Sequence, residues 1–207
     1  ERADAADVEV IAADYTFVAD AKAFRLSRTA KNQKDFKVQA MDGWRGKNDY
    51  AIVVCPIYQL PKRESQIYQQ AITRNVCVFS YSHLSALVRI AQMYGAIEAS
   101  NILKRILSGI SGLPVSKSAE VYWKFVNKQF LMSSKEASEV FQSESLAEVE
   151  SVNFARKEGL EFYVGEEARI EKLDFISVVR ELKRHYKFES KKTTITAIAD
   201  NGLFNVK

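Results

Sequence analysis

The stretch DVEVIAADYTFVADAKAF, residues 7–24, decides how the chain folds. Its first part alternates weakly and its last part is aromatic and β-branched. Asp7 to Ala12 and Thr16 to Phe24 therefore read as the two strands of a hairpin turning at Ala13 and Asp14. Asp20 and Lys22, two residues apart on the second strand, share a face, while Ala21 turns its side chain to the other. Charge on a strand of this kind is costly to bury unless it is paired or holds a metal.

If the turn is the two-residue loop Ala13-Asp14, positions summing to 27 pair across the hairpin and Asp7 stands directly opposite Asp20. Directly opposed Cβ atoms lie roughly 4.5–5.5 Å apart. Ala-Asp is not a preferred two-residue turn, and a loop of three or four residues would shift the register. In the first register two carboxylates repel, and a hard divalent cation with oxygen ligands compensates them directly. The Ala21 carbonyl adds a third oxygen. Magnesium keeps several waters and suits a phosphodiester substrate, and Lys22 beside it would polarise the attacking water and offset charge on phosphorus. Asp7, Asp20 and Lys22 are thus the candidate catalytic residues, with Asp7, Asp20 and Ala21 as metal ligands. Taken alone, Asp-x-Lys on a strand is more often a surface ion pair.

A cationic strip follows: Arg25, Arg28, Lys31, Lys34 and Lys37 face a single acid, Asp35, and are interleaved with Ser27, Thr29, Asn32 and Gln33. A solvated helix face gives the same pattern. Its position just beyond Lys22 turns it into a candidate DNA-binding segment, with Arg25, Arg28, Lys31, Asn32, Gln33 and Lys34 placed to meet phosphates or base edges.

The composition fits a folded protein: 207 residues, 47% hydrophobic and 27% charged, with eight Gly and three Pro. The net charge of +4, from 30 basic and 26 acidic residues, says little by itself. No apolar run reaches the length of a membrane span, and the N-terminus has no secretion signal, so a cytoplasmic protein with no membrane partner is expected. The start at Glu1 without Met suggests a fragment lacking an upstream part. Cys55 and Cys77 lie in apolar runs and read as buried thiols, and His83 and His185 have no zinc-ligand spacing. His83 reads as a helix-start residue.

Further along, TAKNQKDFKVQAMDGWR (29–45) reads as a short helix with Ala30, Phe36, Ala40 and Trp44 as apolar contacts. DYAIVVCPIY (49–58) is a strand closed by Pro56, RESQIYQQAITR (63–74) a helix, NVCVFSY (75–81) a strand, and HLSALVRIAQMYG (83–95) a helix. This alternation after a hairpin predicts an α/β fold with a mixed sheet flanked by helices. From Glu98 the pattern turns mainly helical, over 98–110, 118–132, 135–159 and 166–188, the last with Ile170, Leu173, Ile176, Val179 and Leu182 as a stripe. Tyr122, Trp123, Phe125 and Phe130 read as core. The Gly-, Ser- and Pro-containing stretch 108–118 divides a core of residues 1–112 from a helical C-terminal region, 113–207. Residues 191–204 read as a small hairpin.

The segment VADAKAFRLSRTAKNQKDFK (18–37), continued through WRGKNDYAIVVCPIYQLPKRESQIYQQ (44–70) and VCVFSYSHL (76–84), resembles the HindIII-type type II restriction endonucleases of the PD-(D/E)xK nuclease superfamily. The resemblance is close over about the first ninety residues and poor beyond them. It implies a restriction-endonuclease-like fold and a homodimer that cuts double-stranded DNA at the palindrome AAGCTT with Mg²⁺. Mn²⁺ would be able to substitute, and no nucleotide cofactor is needed. By position Asp7 matches the family's first metal-binding aspartate, Asp20 the acid of the second half-motif and Lys22 its lysine. Ala6 departs from the proline that often precedes the first aspartate, the hairpin is slightly shorter, and relatives carry an upstream helical segment that can supply a further acid. Two other expectations compete: a catalytically inactive or differently targeted DNA-binding relative of the same fold, and a structural α/β domain whose basic strip only faces solvent.

Overall fold

The computed structural model describes residues 5–22, 36–184, 188–198 and 201–204. Four strands form one sheet in the order β1 (Val8–Ile11), β2 (Thr16–Ala21), β3 (Tyr50–Cys55), β4 (Val76–Ser80). The β1–β2 pair is antiparallel, and β2, β3 and β4 run parallel. YAIVVC and VCVFS are buried almost throughout, as strands covered on both faces must be, which explains why they read as unbroken apolar runs rather than alternating ones. The expected α/β architecture, a mixed sheet flanked by helices with a helical C-terminal part, is the one observed.

Helix α1 (Val38–Trp44) returns the chain from β2 to β3, and α2 (Gln66–Arg74) connects β3 to β4. The Asp42 carboxylate, on α1, accepts from both Arg45 and Arg74, tying α1 to the end of α2. There Asn75, at φ 49°, closes α2 in the left-handed conformation that Asn tolerates. Helices α3 (Tyr81–Tyr94), α4 (Ala96–Gly109) and α5 (Ala119–Leu131) follow. The α4 start at Ala96 is two residues earlier than the sequence pattern suggests. Tyr122, Trp123 and Phe130 are buried as expected, while Phe125 is half-buried with its ring against Gly109, where a Cβ would sit 2.3 Å from it.

The C-terminal region differs from the sequence reading in two ways. Residues 135–171 form one 37-residue helix, α6 (Lys135–Glu171), running through Gly159 and Gly165. The break expected before Glu166 comes instead at 172–174, where Asp174 caps α7 (Phe175–Arg184) by accepting from the Ile176 and Ser177 amides at 3.0 and 3.1 Å. The expected hairpin over 191–204 is also overturned: Phe188–Thr196 is a helix, α8. Its Thr and Ile favour a strand locally, but Lys192 pairs with Glu167 at 2.6 Å, Lys191 lies over the Tyr163 ring, and Ile195 packs on Gly159. Packing on α6 thus overrides local preference.

The far edge of the sheet is closed by a side chain. The Tyr122 hydroxyl accepts from the Val78 amide at 2.7 Å and donates to the Val78 carbonyl at 3.1 Å, giving the outward backbone groups at the middle of β4 a partner from a side chain. Next to it, Trp123 Nε1 donates to the Tyr68 hydroxyl (3.1 Å), which donates to the Pro61 carbonyl (2.9 Å). One contiguous hydrophobic cluster joins the sheet to α4, α5 and α6. Both cysteines are buried free thiols, and burial pushes each up to about 12.

His83, fully buried in the first turn of α3, completes this core. Its ring lies between Phe79 (4.8 Å), Trp123 (5.6 Å) and Phe141 (5.8 Å). Asn127 donates through Nδ2 to the Leu203 carbonyl, so its Oδ1 must accept from His83 Nε2 (2.9 Å). Nδ1 is then unprotonated and accepts from Ser80 Oγ at 2.7 Å, while Ser80 Oγ accepts from the His83 amide as the helix cap. Ser80, His83 and Asn127 resemble a nucleophile relay only in composition: Ser80 is fully buried and its proton is engaged. Burial lowers the His83 pKa to about 4, with the Asn127 bond opposing.

Two outcomes are expected. Tyr122→Phe leaves the Val78 amide and carbonyl unpaired in a dry site, so urea unfolding should show a loss of ~1–3 kcal/mol; an unchanged midpoint would refute the edge-closing role. For His83, the unfolded chain takes up a proton near pH 6.5 that the folded chain refuses until about pH 4. Stability present above pH 6.5 is therefore lost as pH falls toward 4, by at most ~3 kcal/mol. NMR of the imidazole nitrogens should show the Nε2–H tautomer persisting through that window, and titration near 6.5 would contradict it.

Candidate active site

The site depends on the hairpin turn. Val8 pairs with Ala19, Glu9 with Val18, Val10 with Phe17 and Ile11 with Thr16, every pair summing to 27. The Ala12 amide bonds to the Tyr15 carbonyl at 2.9 Å, which leaves Ala13 and Asp14 as a two-residue loop. Neither has a positive φ, so this is not the primed turn usually found in such hairpins. Tertiary contacts hold it instead. The Tyr15 hydroxyl reaches the Ser100 carbonyl and Oγ, both at 3.2 Å, Asp14 pairs with Lys104, and the Asp49 carboxylate accepts from the Thr16 amide at 2.8 Å. Helix α4 and the entry to β3 thus fix a turn that local sequence would leave loose.

Extended by one residue beyond the ladder, the same register puts Asp7 opposite Asp20. Asp7 is exposed and its Oδ2 accepts from the Ala21 amide at 2.9 Å. That amide is directed to the β1 side because the next one, of Lys22, bonds to the Val54 carbonyl of β3 at 2.7 Å. Amide and carbonyl of one strand residue point the same way, so the Ala21 carbonyl also faces the Asp7 edge. Asp20 is only 3% exposed, on the face it shares with Val53 and Val78 of the neighbouring strands. The Lys22 ammonium forms an ion pair with Asp20 Oδ2. That oxygen is buried and, among the described residues, accepts no directed hydrogen bond, so the contact is charge against charge.

The expected catalytic residues Asp7, Asp20 and Lys22, with the Ala21 carbonyl, therefore gather at one place, the C-terminal end of the parallel strands. Open α/β sheets bind ligands at that end. Among the described residues no three His, Cys, Asp or Glu side chains cluster, so a metal here would have two carboxylates, a backbone oxygen and water. That donor set fits a hard cation such as Mg²⁺, and Asp20 Oδ2, which among the described residues meets the Lys22 ammonium without a directed hydrogen bond, is the acceptor it would share. The expected DNA-binding residues Arg25, Arg28, Lys31, Asn32, Gln33 and Lys34 lie outside the described residues. Lys37, the last cation of the strip, sits at φ 43° with its ammonium 5.2 Å from the Trp44 ring centroid.

Two residues at this end were not anticipated, Tyr58 just after β3 and Tyr81 just after β4, both partly exposed. The signal that could have found them is positional: each follows the C-terminus of a strand that the apolar runs already mark as parallel.

The fold and this arrangement agree with what the chain is similar to. Residues 1–199 match the HindIII restriction endonuclease family. Over 131 residues, 62% of this chain, it is 40% identical to the type II restriction enzyme HindIII of Haemophilus influenzae, and the match spans 37% of that enzyme's length. The chain belongs to the HindIII restriction endonuclease family.

Proposed function

We propose that this chain carries the catalytic core of a type II restriction endonuclease that hydrolyses double-stranded DNA at AAGCTT with Mg²⁺. The observation that supports this reading is the hairpin register, which brings Asp7, Asp20 and Lys22 together in a member of this family. Asp7, Asp20 and the Ala21 carbonyl would hold Mg²⁺, which when bound supplies positive charge to polarise the phosphodiester and acidify water. Mn²⁺, also a hard oxygen-seeking cation, substitutes in the same ligands.

Each residue of the chain then has a role. Lys22, held against Asp20, directs its ammonium at the attacking water and at the phosphate oxygens on which charge grows during in-line displacement. Asp20, pinned in the sheet by the flanking β3, fixes where that ammonium points. Asp7 keeps one oxygen on the Ala21 amide, which orients the other toward the substrate side. Arg25, Arg28, Lys31, Asn32, Gln33 and Lys34 contact the duplex, the cations at phosphates and the amides at base edges. Residues 1–112 form the nuclease core and 113–207 the helical region. A homodimer suits a palindrome, since each subunit then reads one half-site and cuts one strand. An apolar face for self-association is offered by α7, where Phe175, Ile176 and Leu182 are exposed. Among the described residues no helix is long and apolar enough to cross a membrane, and a cytoplasmic location fits an enzyme whose substrate is DNA.

In the decisive experiment the purified chain is incubated with Mg²⁺ and a duplex carrying one AAGCTT site, beside EDTA and Asp20→Ala controls. One metal-dependent cut is expected, reduced at least ~10²-fold in the variant, the scale of losing one preorganised charge-stabilising group. Binding without cutting would turn the reading toward a DNA-binding relative, and neither activity would sink it. Without DNA, saturating MgCl₂ or MnCl₂ should raise the melting temperature, by linkage worth about 2.7 kcal/mol at a hundredfold excess over Kd. Asp20→Asn should abolish that rise, and an equal rise in the variant would remove Asp20 from the ligand set.

A further inference from the structure

We infer that Tyr81 is a substrate-contacting residue of this site: its phenol donates a hydrogen bond to a non-bridging oxygen of a phosphate next to the scissile one, with Tyr58 beside it on the same DNA strand. The inference rests on the nuclease reading and adds residues to it.

The placement follows from the sheet. Ala21 pairs with Val54, and Cys55, the next residue, pairs with Ser80, so the ends of β2, β3 and β4 are level. Tyr81 follows Ser80 directly and opens α3. Its backbone is held by the fully buried Ser80 and His83, whose hydrogen bonds to each other and to Asn127 lock the first turn. The side chain, in contrast, is 38% exposed. Tyr58 projects from a short 3₁₀ turn, Ile57–Gln59, stapled at its base by Asn201 Nδ2, which donates to the Ile57 carbonyl at 2.7 Å. Both rings thus stand on anchored backbone at the mouth of the site.

Chemistry selects the occupant. Among the described residues neither hydroxyl has a hydrogen-bond partner, so a rigidly based donor is left facing solvent. Tyr81 stands at the same end of the sheet as Asp20 and Lys22, and the Asp7 carboxylate and the Tyr58 phenol act on it electrostatically. Burial, then Cys55, Tyr58 and Asp7, raise the Tyr81 phenol above its ordinary range, so it stays a neutral donor at neutral and mildly alkaline pH. A neutral O–H is what this position calls for. A lysine or arginine would pair with Asp7 and compete with a cation there, whereas a phenol can bind a phosphate oxygen and leave the carboxylates charged. With strands about 4.8 Å apart, β4 lies roughly 10 Å from β2. A phenol based that far from Asp20 and Lys22 is matched to a phosphate beside the reacting one.

The test compares the unaltered chain with Tyr81→Phe and Tyr58→Phe by duplex binding in Ca²⁺ and single-turnover cleavage in Mg²⁺. It uses AAGCTT duplexes with a methylphosphonate at each phosphate flanking the cut in turn. Tyr81→Phe should weaken binding about tenfold, the scale of one hydrogen bond to a charged group. Its melting temperature and its cleavage rate at saturation should change little, and the penalty should vanish on the one duplex whose contacted phosphate is neutral. Binding and cleavage equal to the unaltered chain would overturn the proposal while leaving the nuclease reading intact. So would a tenfold penalty that persists on every methylphosphonate duplex. If the unaltered chain neither binds nor cuts, the nuclease reading falls and the Tyr81 contact falls with it.

Discussion

The pairing of β1 with β2 is the constraint on which the rest of the site depends. Side chains on a strand alternate faces, so a slip of one residue would move Asp7 off the line of Asp20 and the Ala21 amide. The Ala13-Asp14 loop has no turn chemistry of its own to prevent that slip. Its security comes from a distance, through Tyr15 on Ser100, Asp14 on Lys104 and Thr16 on Asp49. The contacts made by α4 therefore act on the Asp7 and Asp20 end of the hairpin without touching it.

The parallel strands supply the other half of the arrangement. Because β2, β3 and β4 run the same way, their C-termini fall on one side of the molecule, and Asp20, Lys22, Tyr58 and Tyr81 collect there from segments widely separated in sequence. Keeping the sheet to four strands requires closing its β4 edge, and Tyr122 does so with a single hydroxyl that serves both backbone groups of Val78. The helical C-terminal part is thus structurally engaged with the sheet: α5 seals its edge, holds His83 through Asn127, and receives the terminal segment at Leu203.

The Asp20–Lys22 pair is costly to the fold. An ion pair this dry recovers its desolvation only with good geometry and further hydrogen bonds, and among the described residues Asp20 Oδ2 has no directed one. A chain selected for stability alone would do as well with two apolar residues on that face, beside Val53 and Val78. An under-satisfied carboxylate at the mouth of the sheet is instead the arrangement expected where a cation and an anionic substrate complete the charge balance.

Much of this was legible in the residues. Apolar runs marked β3 and β4, the alternation of strand and helix marked the layered sheet, and the spacing of Asp20 and Lys22 put both on one face, because these are local properties of backbone period and side-chain polarity. The hairpin register was one of several that the sequence allowed, since Ala-Asp does not specify a turn, and only contacts from α4 and Asp49 selected it. The same distinction explains α8, whose Thr- and Ile-rich segment prefers a strand in isolation and is helical against α6. It explains Tyr58 and Tyr81 as well, which are unremarked aromatics in the sequence and become neighbours of the site only when three strand ends are brought level. By itself the sequence determined which elements form and which charges share a strand face, because those depend on nearest neighbours along the chain. Tertiary structure decided the register, the closing of the edge and the membership of the site, because those depend on partners distant along the chain, the nearest of the register contacts being Asp49 on Thr16.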